Sequence, residues 1–178
     1  IAAVDSFLRQ PDLSKAQIYI NKLLSTFPNQ SYINQLAAQI HIQQNNFTLA
    51  KKYIDKAMLS GQPSPQIRLL AGLTSFQLGN YEQAESLLNE LDSYYPKNQF
   101  VKKLIVANKL KLGEYSDLIN ILDNTDDVEL LSATSIELMN KEPNLSFKLL
   151  EQIDLNDINS ISNRNKMGVA KLMSNKQS

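Results

Sequence analysis

The sequence predicts an all-α protein built from repeated helix pairs, and three observations lead to this prediction. Apolar residues recur almost throughout at the i, i+3, i+4 and i+7 spacing of an amphipathic helix, for example at Ala84, Leu87, Leu88 and Leu91. Only five glycines and six prolines occur, and no long stretch alternates between apolar and polar residues as a strand does. Short phrases of sequence also return at a fixed interval, which indicates an internal repeat.

The interval between the returning phrases is 34 residues. Asn80-Tyr81, within the phrase FQLGNYEQAESLL, is preceded at that distance by Asn46-Phe47 and followed by Glu114-Tyr115. The same step from Ala84 reaches small or apolar residues at Ala16, Ala50 and Leu118. Because several columns agree in residue size at one period, we interpret the chain as an array of helix pairs.

The period also predicts the boundaries of the units. The units are expected at residues 1–30, 31–64, 65–98, 99–126 and 127–155, with a final unpaired helix at 156–175. One unit is about six residues short, and we expect the deletion in the turn at 124–127. The chain begins at Ile1 rather than Met, so we expect a single superhelix that is a piece of a longer array.

Small residues recur where the two helices of a pair are expected to cross, because only small side chains allow close approach. In the first helices these are Ala37-Ala38, Ala71-Gly72, Ala133-Thr134 and Met167-Gly168, and in the second helices Ala16, Ala50, Ala84 and Ser146. Aromatic residues recur at Phe47, Tyr81 and Tyr115, and proline closes units at Pro28 and Pro96. This pattern resembles the tetratricopeptide repeat (TPR) over essentially the whole chain.

The TPR resemblance implies a right-handed α-solenoid whose first, or A, helices line a concave groove. Two departures from the TPR pattern are visible. The aromatic residue that is usual early in helix A is absent from every unit, and repeat four carries the larger pair Ile105-Val106 where small residues belong.

A narrower resemblance rests on three phrases: RLLAGLTSFQLGNYEQAESLLNEL, KKLIVANKLKLGEY and NRNKMGVAKLMSNK. They look like the TPR lipoproteins of bacterial PEP-CTERM and exopolysaccharide loci. That resemblance implies a scaffold in the bacterial envelope, linked to exopolysaccharide production or protein sorting. It would be periplasmic or associated with the outer membrane through a lipid anchor outside this chain. A cytoplasmic location is the alternative.

Composition excludes several kinds of chemistry. Eighteen basic and eighteen acidic residues cancel, so no bulk charge favours nucleic acid or an anionic membrane surface. The absence of cysteine excludes disulfides and thiolate metal sites. Because His41 is the only histidine, no histidine-based metal cluster is available, and its position in the TPR pattern suggests a half-buried packing residue.

No enzymatic site is predicted. No glycine-rich phosphate loop follows a strand, and no nucleophile, acid and base converge on one segment. The acidic stretch at Asp123, Asp126, Asp127 and Glu129 lacks the glycine of an EF-hand loop, so we interpret Asp126 or Asp127 as a helix cap. We therefore expect a non-enzymatic chain with no catalytic residue, metal or cofactor.

The TPR register predicts which A-helix residues face the groove. They are Tyr32, Gln35, Gln39 and Gln43 in repeat two, Gln66, Leu69, Leu73 and Gln77 in repeat three, and Phe100, Lys103, Ala107 and Lys111 in repeat four. Aliphatic side chains beside long amides suit an extended protein or peptide ligand. The plainer alternative is a solvated face on which Leu69 and Leu73 pack against a neighbouring A helix.

Two functional hypotheses follow from the fold and from the lack of a catalytic motif. The first is a scaffold for protein–protein interaction that acts through the groove. The second is a structural spacer or self-association module with no groove ligand. Self-association would use the final helix, where the loss of a partner helix would expose Val169, Leu172 or Met173.

Overall fold

The computed structural model describes residues 13–59, 63–123, 125–153 and 160–174, and side chains within the last range from 165 to 173. Within these ranges the regular structure is entirely helical, which confirms the all-α prediction. The helices are α1 (Leu13–Thr26), α2 (Ser31–Gln43), α3 (Phe47–Met58), α4 (Pro65–Gln77), α5 (Tyr81–Tyr94), α6 (Gln99–Leu112), α7 (Leu118–Leu122), α8 (Val128–Leu138), α9 (Pro143–Glu151) and α10 (Ser160–Ser174).

The chain divides into two compact units, residues 1–108 and 109–178. In the first unit α2 packs against α1, α3 and α4, and α4 also packs against α3 and α5. In the second unit α9 packs against α7, α8 and α10. The A helices α2, α4 and α6 begin at Ser31, Pro65 and Gln99, which are separated by the 34-residue period. The expected first helix of the 1–30 unit, and the start of the final helix at 156–159, lie outside the described residues.

Close helix crossings in the first unit use small side chains, as the pattern predicted. Ala37 and Ala38 of α2 are fully buried. On α4, a Cβ atom added to Gly72 would lie 2.9 Å from Cδ2 of Leu88, a fully buried residue of α5. A distance below 3.0 Å forces a neighbouring atom to move, so the α4–α5 contact favours glycine at this position.

The turn from the first to the second helix of a pair adopts the same backbone conformation in three successive units. Asn45, Gly79 and Gly113 have φ angles of 56°, 79° and 77°. This left-handed region is strained for residues with a Cβ atom, and asparagine tolerates it better than most. The conformation of the turn therefore explains why asparagine or glycine recurs at this position.

The crossing in the α8–α9 pair differs from the expected Ala133-Thr134 register by one position. Ala133 is exposed, and the buried neighbours are Thr134 and Ser135. The register shifts because Ser135, rather than Ala133, meets Ser146 of α9 at hydrogen-bonding distance. The expectation for the last helix was also wrong: Gly168 is exposed, Met167 is half-buried, and Ala170 is the buried small residue.

The fourth pair is irregular at its second helix. The sequence places Tyr115 where Phe47 and Tyr81 begin α3 and α5, but α7 begins only at Leu118. It ends at Leu122, just before the expected deletion. The missing length is thus absorbed at both ends of α7, which has five residues against twelve in α3 and fourteen in α5.

Side-chain caps begin several helices. Asp127 Oδ1 accepts a hydrogen bond from the Leu130 backbone N–H at 3.0 Å, which confirms that the acidic stretch caps a helix. Asn46 and Ser64 cap α3 and α4 in the same way. Of the helices in the described ranges, none combines the length and apolar character needed to span a membrane.

Candidate functional site

The four groove candidates on α2 differ in their accessibility. Tyr32 is 39% exposed, Gln43 is exposed and Gln39 is half-buried. Gln35, in contrast, is only 5% exposed, and its Oε1 accepts a hydrogen bond from Ser64 Oγ at 3.5 Å. Because Ser64 is the N-cap of α4, Gln35 supports the junction between α2 and α4 and offers little surface to a ligand.

On α4 the candidates combine polar ends with an apolar middle. Gln66 and Gln77, near the two ends of the helix, are exposed. Leu69 and Leu73 lie between them and are half-buried, so each leaves apolar area in contact with solvent. This arrangement offers amide hydrogen-bonding groups on either side of an apolar strip.

The groove candidates on α6 are divided between the two units. Phe100 is 50% exposed, Lys103 is exposed and Ala107 is half-buried. Lys111 is exposed but belongs to the second unit. We use the name A-helix surface for the accessible candidates of the first unit: Tyr32, Gln39, Gln43, Gln66, Leu69, Leu73, Gln77, Phe100, Lys103 and Ala107.

Exposed aromatic residues also occur at two turns that the sequence reasoning did not single out. Phe27 is 52% exposed and Tyr95 is 46% exposed, and each precedes a proline. The carbonyl oxygens of these residues accept hydrogen bonds from the Gln30 and Asn98 backbone N–H groups, at 3.4 and 2.9 Å. The available signal was the shared pattern of FPNQSY at 27–32 and YPKNQF at 95–100, two periods apart, in which an aromatic residue precedes a proline and another ends the segment.

His41 is a packing residue, as expected, and lies deeper than the sequence suggested. It is 7% exposed, and its ring stacks on Tyr53 with centroids 5.3 Å apart and planes within 3°. Burial lowers the pKa of His41 below its usual value, and the neighbouring Gln44 side chain partly opposes that shift. The imidazole is therefore held in its neutral form inside the first unit.

A buried cation lies at the start of the second unit. Lys109 is 7% exposed, and its Nζ lies 2.8 Å from Glu114 Oε2 and 3.3 Å from Asp117 Oδ2. These ion pairs tie the end of α6 to the turn that precedes α7. A cleft of about 690 Å³ opens beside this turn, between it and the first part of α9. The sequence reasoning did not anticipate the cleft.

Among the residues that the structure describes, no group of three or more histidine, aspartate or glutamate side chains is placed to hold a metal ion.

Comparisons with known proteins agree with the repeat. A family model described as anaphase-promoting complex, cyclosome, subunit 3, matches residues 10–91, a little under half of the chain. No protein with curated annotation matches. Neither of the two solved structures described next is named as a lipoprotein or linked to exopolysaccharide.

Two solved structures are similar in fold. One is a tetratricopeptide repeat protein from Parabacteroides merdae ATCC 43184, with 16% sequence identity and a TM-score of 0.58 over 94% of this chain and 68% of that one. The other is the APC/C hetero-tetramer Cut9–Hcn1, with 18% identity and a TM-score of 0.66 over 94% of this chain. This chain spans only 35% of the length of the matched chain in that complex.

The structure and its structural neighbours together define the class of protein. The chain has an all-α, TPR-type helical-repeat fold. Folds of this type generally mediate protein–protein interaction and are typically non-enzymatic scaffolds.

Proposed function

We propose that this chain is a non-enzymatic scaffold whose A-helix surface binds an extended segment of a partner protein. The observation that supports this proposal is the arrangement on α4, where exposed Gln66 and Gln77 flank half-buried Leu69 and Leu73. An extended peptide has an unpaired backbone that needs amide partners, and alternate side chains that need apolar contacts. The α4 surface supplies both kinds of contact.

The charge of the A-helix surface indicates which partners it favours. The surface includes one cation, Lys103, and no acidic residue. Exposed Tyr32 and Phe100 occupy the same slot of the repeat, two periods apart, and aromatic residues are frequent anchors in protein interfaces. We therefore expect the bound segment to be neutral or acidic, with apolar side chains.

The wider setting that we propose is the bacterial envelope. The three phrases that resemble PEP-CTERM and exopolysaccharide-locus TPR lipoproteins are the reason for proposing a scaffold for exopolysaccharide production or protein sorting. It would be held at the membrane by a lipid anchor outside this chain. Fractionation of source cells with an antibody to this chain tests the location: recovery only in the cytosolic fraction would contradict the envelope proposal.

A pull-down from source-cell extracts tests the proposed binding surface. The bait is the wild-type chain beside a Leu73→Glu, Lys103→Glu variant, which changes one apolar contact and the only cation of the A-helix surface. The matched control is Leu59→Glu, Lys52→Glu, which makes the same changes at two other exposed positions. Lys52 lies within α3, and Leu59 directly follows the last residue of that helix. Partners lost with the first variant and kept with the control support the proposal. Partners kept by both variants place the binding elsewhere.

Self-association is the second candidate function, and α10 provides the observation that favours it. Val169 and Leu172 are 42% and 67% exposed, whereas Ala170 is buried. A second copy of the chain could cover these apolar side chains. Sedimentation velocity of the wild type and of Leu172→Lys tests this candidate: a concentration-dependent dimer that the substitution abolishes supports it, and a monomer over the whole range excludes it.

A further inference from the structure

The cleft in the second unit results from the late start of α7. In the first unit α5 begins at Tyr81, whereas the equivalent Tyr115 precedes α7 in a non-helical turn. The cleft lies between this turn and the first part of α9, and its volume of about 690 Å³ is in the range of small-ligand sites. It shares no residue with the A-helix surface, which belongs to the first unit.

Two of the carboxylates that line the cleft share a single cation. Glu114 and Asp117 both pair with the buried ammonium of Lys109. These contacts hold the turn in place and leave one net negative charge on this wall. The opposite wall of the cleft supplies the remaining recognition groups.

The α9 wall carries polar groups without partners. Within the described part of the chain, the side chains of Glu142, Asn144 and Lys148 form no hydrogen bond or ion pair, although all three line the cleft. Half-buried Ile119 and Leu145 supply apolar area between the two walls. A complementary ligand thus needs a cation, an anion and an apolar group.

The spacing of these groups defines the ligand further. Glu142 and Lys148 are six residues apart, so their backbone positions are separated by roughly 9 Å along the axis of α9. An extended peptide covers this distance within about four residues, and its residues i, i+2 and i+4 point to the same side. The charged lining groups and Lys109 together amount to three acids and two bases, so the site has a slight excess of negative charge.

We propose that the cleft binds an extended peptide segment with a basic side chain and an acidic group four residues apart. The basic side chain pairs with Glu142, the acidic group pairs with Lys148, and an apolar side chain between them contacts Ile119 and Leu145. The segment lies across the first part of α9, and the Asn144 amide hydrogen-bonds its backbone.

Titration of the full ¹⁵N-labelled chain with acetyl-Arg-Ala-Leu-Ala-Glu-amide, followed by NMR, tests the proposal. A control peptide contains citrulline in place of arginine, which preserves shape and removes the charge. The variant is Glu142→Gln, and its matched control is Glu151→Gln, an exposed acid at the other end of α9 that does not line the cleft. The three proteins and two peptides are compared at one low salt concentration.

The expected result is saturable shifts of backbone amides in 113–119 and 142–148. Glu142→Gln should weaken binding about two- to fivefold, the usual range for an exposed ion pair, and Glu151→Gln should not change it. The citrulline peptide should bind the wild type as weakly as the arginine peptide binds Glu142→Gln. Shifts that do not saturate, that lie outside these two segments, or that are equal for both peptides would overturn the proposal.

Discussion

Ser135 and Ser146 hydrogen-bond to each other's backbone across the α8–α9 crossing. Ser135 Oγ donates to the Ser146 carbonyl oxygen at 3.0 Å, and Ser146 Oγ donates to the Ser135 carbonyl oxygen at 2.9 Å. The two Oγ atoms are 2.8 Å apart, and both residues are fully buried. A polar contact therefore occupies a crossing at which the first unit uses alanine and glycine.

This reciprocal contact predicts strong coupling between the two serines. Ser135→Ala or Ser146→Ala alone should lower the free energy of unfolding by about 1–2 kcal/mol, because each removes a hydroxyl donor from the buried carbonyl oxygen of the other serine. The double variant should cost less than the sum of the two single changes. Urea unfolding, monitored by circular dichroism, gives the free energy of unfolding of the wild type, the two single variants and the double variant. Strictly additive costs would show that the hydrogen bonds act independently.

The backbone conformation of Gly79 predicts a loss of stability on substitution. Gly79→Ala should cost roughly 1–2 kcal/mol, because an L-residue is strained at a φ of 79°. Gly168→Ala is the control, because Gly168 lies inside α10 and an added Cβ would meet nothing within 4 Å. That change should stabilise the chain by about 0.5–1 kcal/mol through helix propensity. Thermal unfolding midpoints that move in the same direction for both variants would contradict the prediction.

The contact between Gly72 and Leu88 predicts a steric penalty. Gly72→Ala should lower the free energy of unfolding by about 1–3 kcal/mol, because its Cβ would lie 2.9 Å from Leu88 Cδ2 and 3.1 Å from Leu88 Cγ. Leu88→Ala alone should cost about 2–5 kcal/mol through the cavity that it leaves. In the double variant the new methyl group occupies part of that cavity, so its cost should fall below the sum. Chemical denaturation at one temperature gives the free energies of unfolding of the wild type, both single variants and the double variant.

The burial of His41 predicts a loss of stability under mildly acidic conditions. The pKa of His41 is lowered in the folded chain, so between that value and the unfolded value of 6.5 the unfolded chain binds more protons. The stabilising contribution of the neutral ring is therefore complete above pH 6.5 and is lost as the pH falls towards the folded pKa. Urea midpoints from pH 7.5 to 5 should decrease in the wild type.

The control for the histidine prediction is His41→Phe, which keeps an aromatic ring beside Tyr53 and removes the titrating group. Its urea midpoint should change less than that of the wild type over the same range. An equal change in both proteins would assign the pH dependence to carboxylates elsewhere in the chain.

The helical elements of the first unit follow closely from the sequence, because successive units meet the same packing requirements. The 34-residue spacing reappears in the first residues of α2, α4 and α6 and in the left-handed turns at Asn45, Gly79 and Gly113. Each of these features depends on local backbone geometry or on a small residue at a crossing. Because backbone geometry and close crossings each restrict the residue type at fixed positions, both appear as a period in the sequence.

In the second unit, the sequence does not determine the bounds of α7 or the residue at the α8–α9 crossing. A six-residue deletion can be absorbed at either end of a helix, and only packing in three dimensions decides that α7 loses residues at both. The same limit applies to the crossing of α8, because alanine and serine are both small and either Ala133 or Ser135 could meet Ser146. The cleft beside α7 exists because this helix starts late, and no single sequence motif predicts that start.

Accessibility was the least predictable property of the candidate site. Gln35 and Gln39 are chemically identical and one helical turn apart, yet Gln35 is buried against Ser64 and Gln39 is half-buried. Residue type does not distinguish a ligand-facing amide from one that supports the next repeat.

The short length of α7 limits cooperativity in the second unit. Stacked repeats stabilise one another through the area that each buries against its neighbours, and α7 contributes only Leu118 and Leu122 to the core. Opening this helix therefore exposes little apolar surface and costs less free energy than opening α9, which buries four residues. In native-state hydrogen exchange, the amides of 118–122 are expected to be the least protected of the core helices, so local unfolding of the second unit begins there.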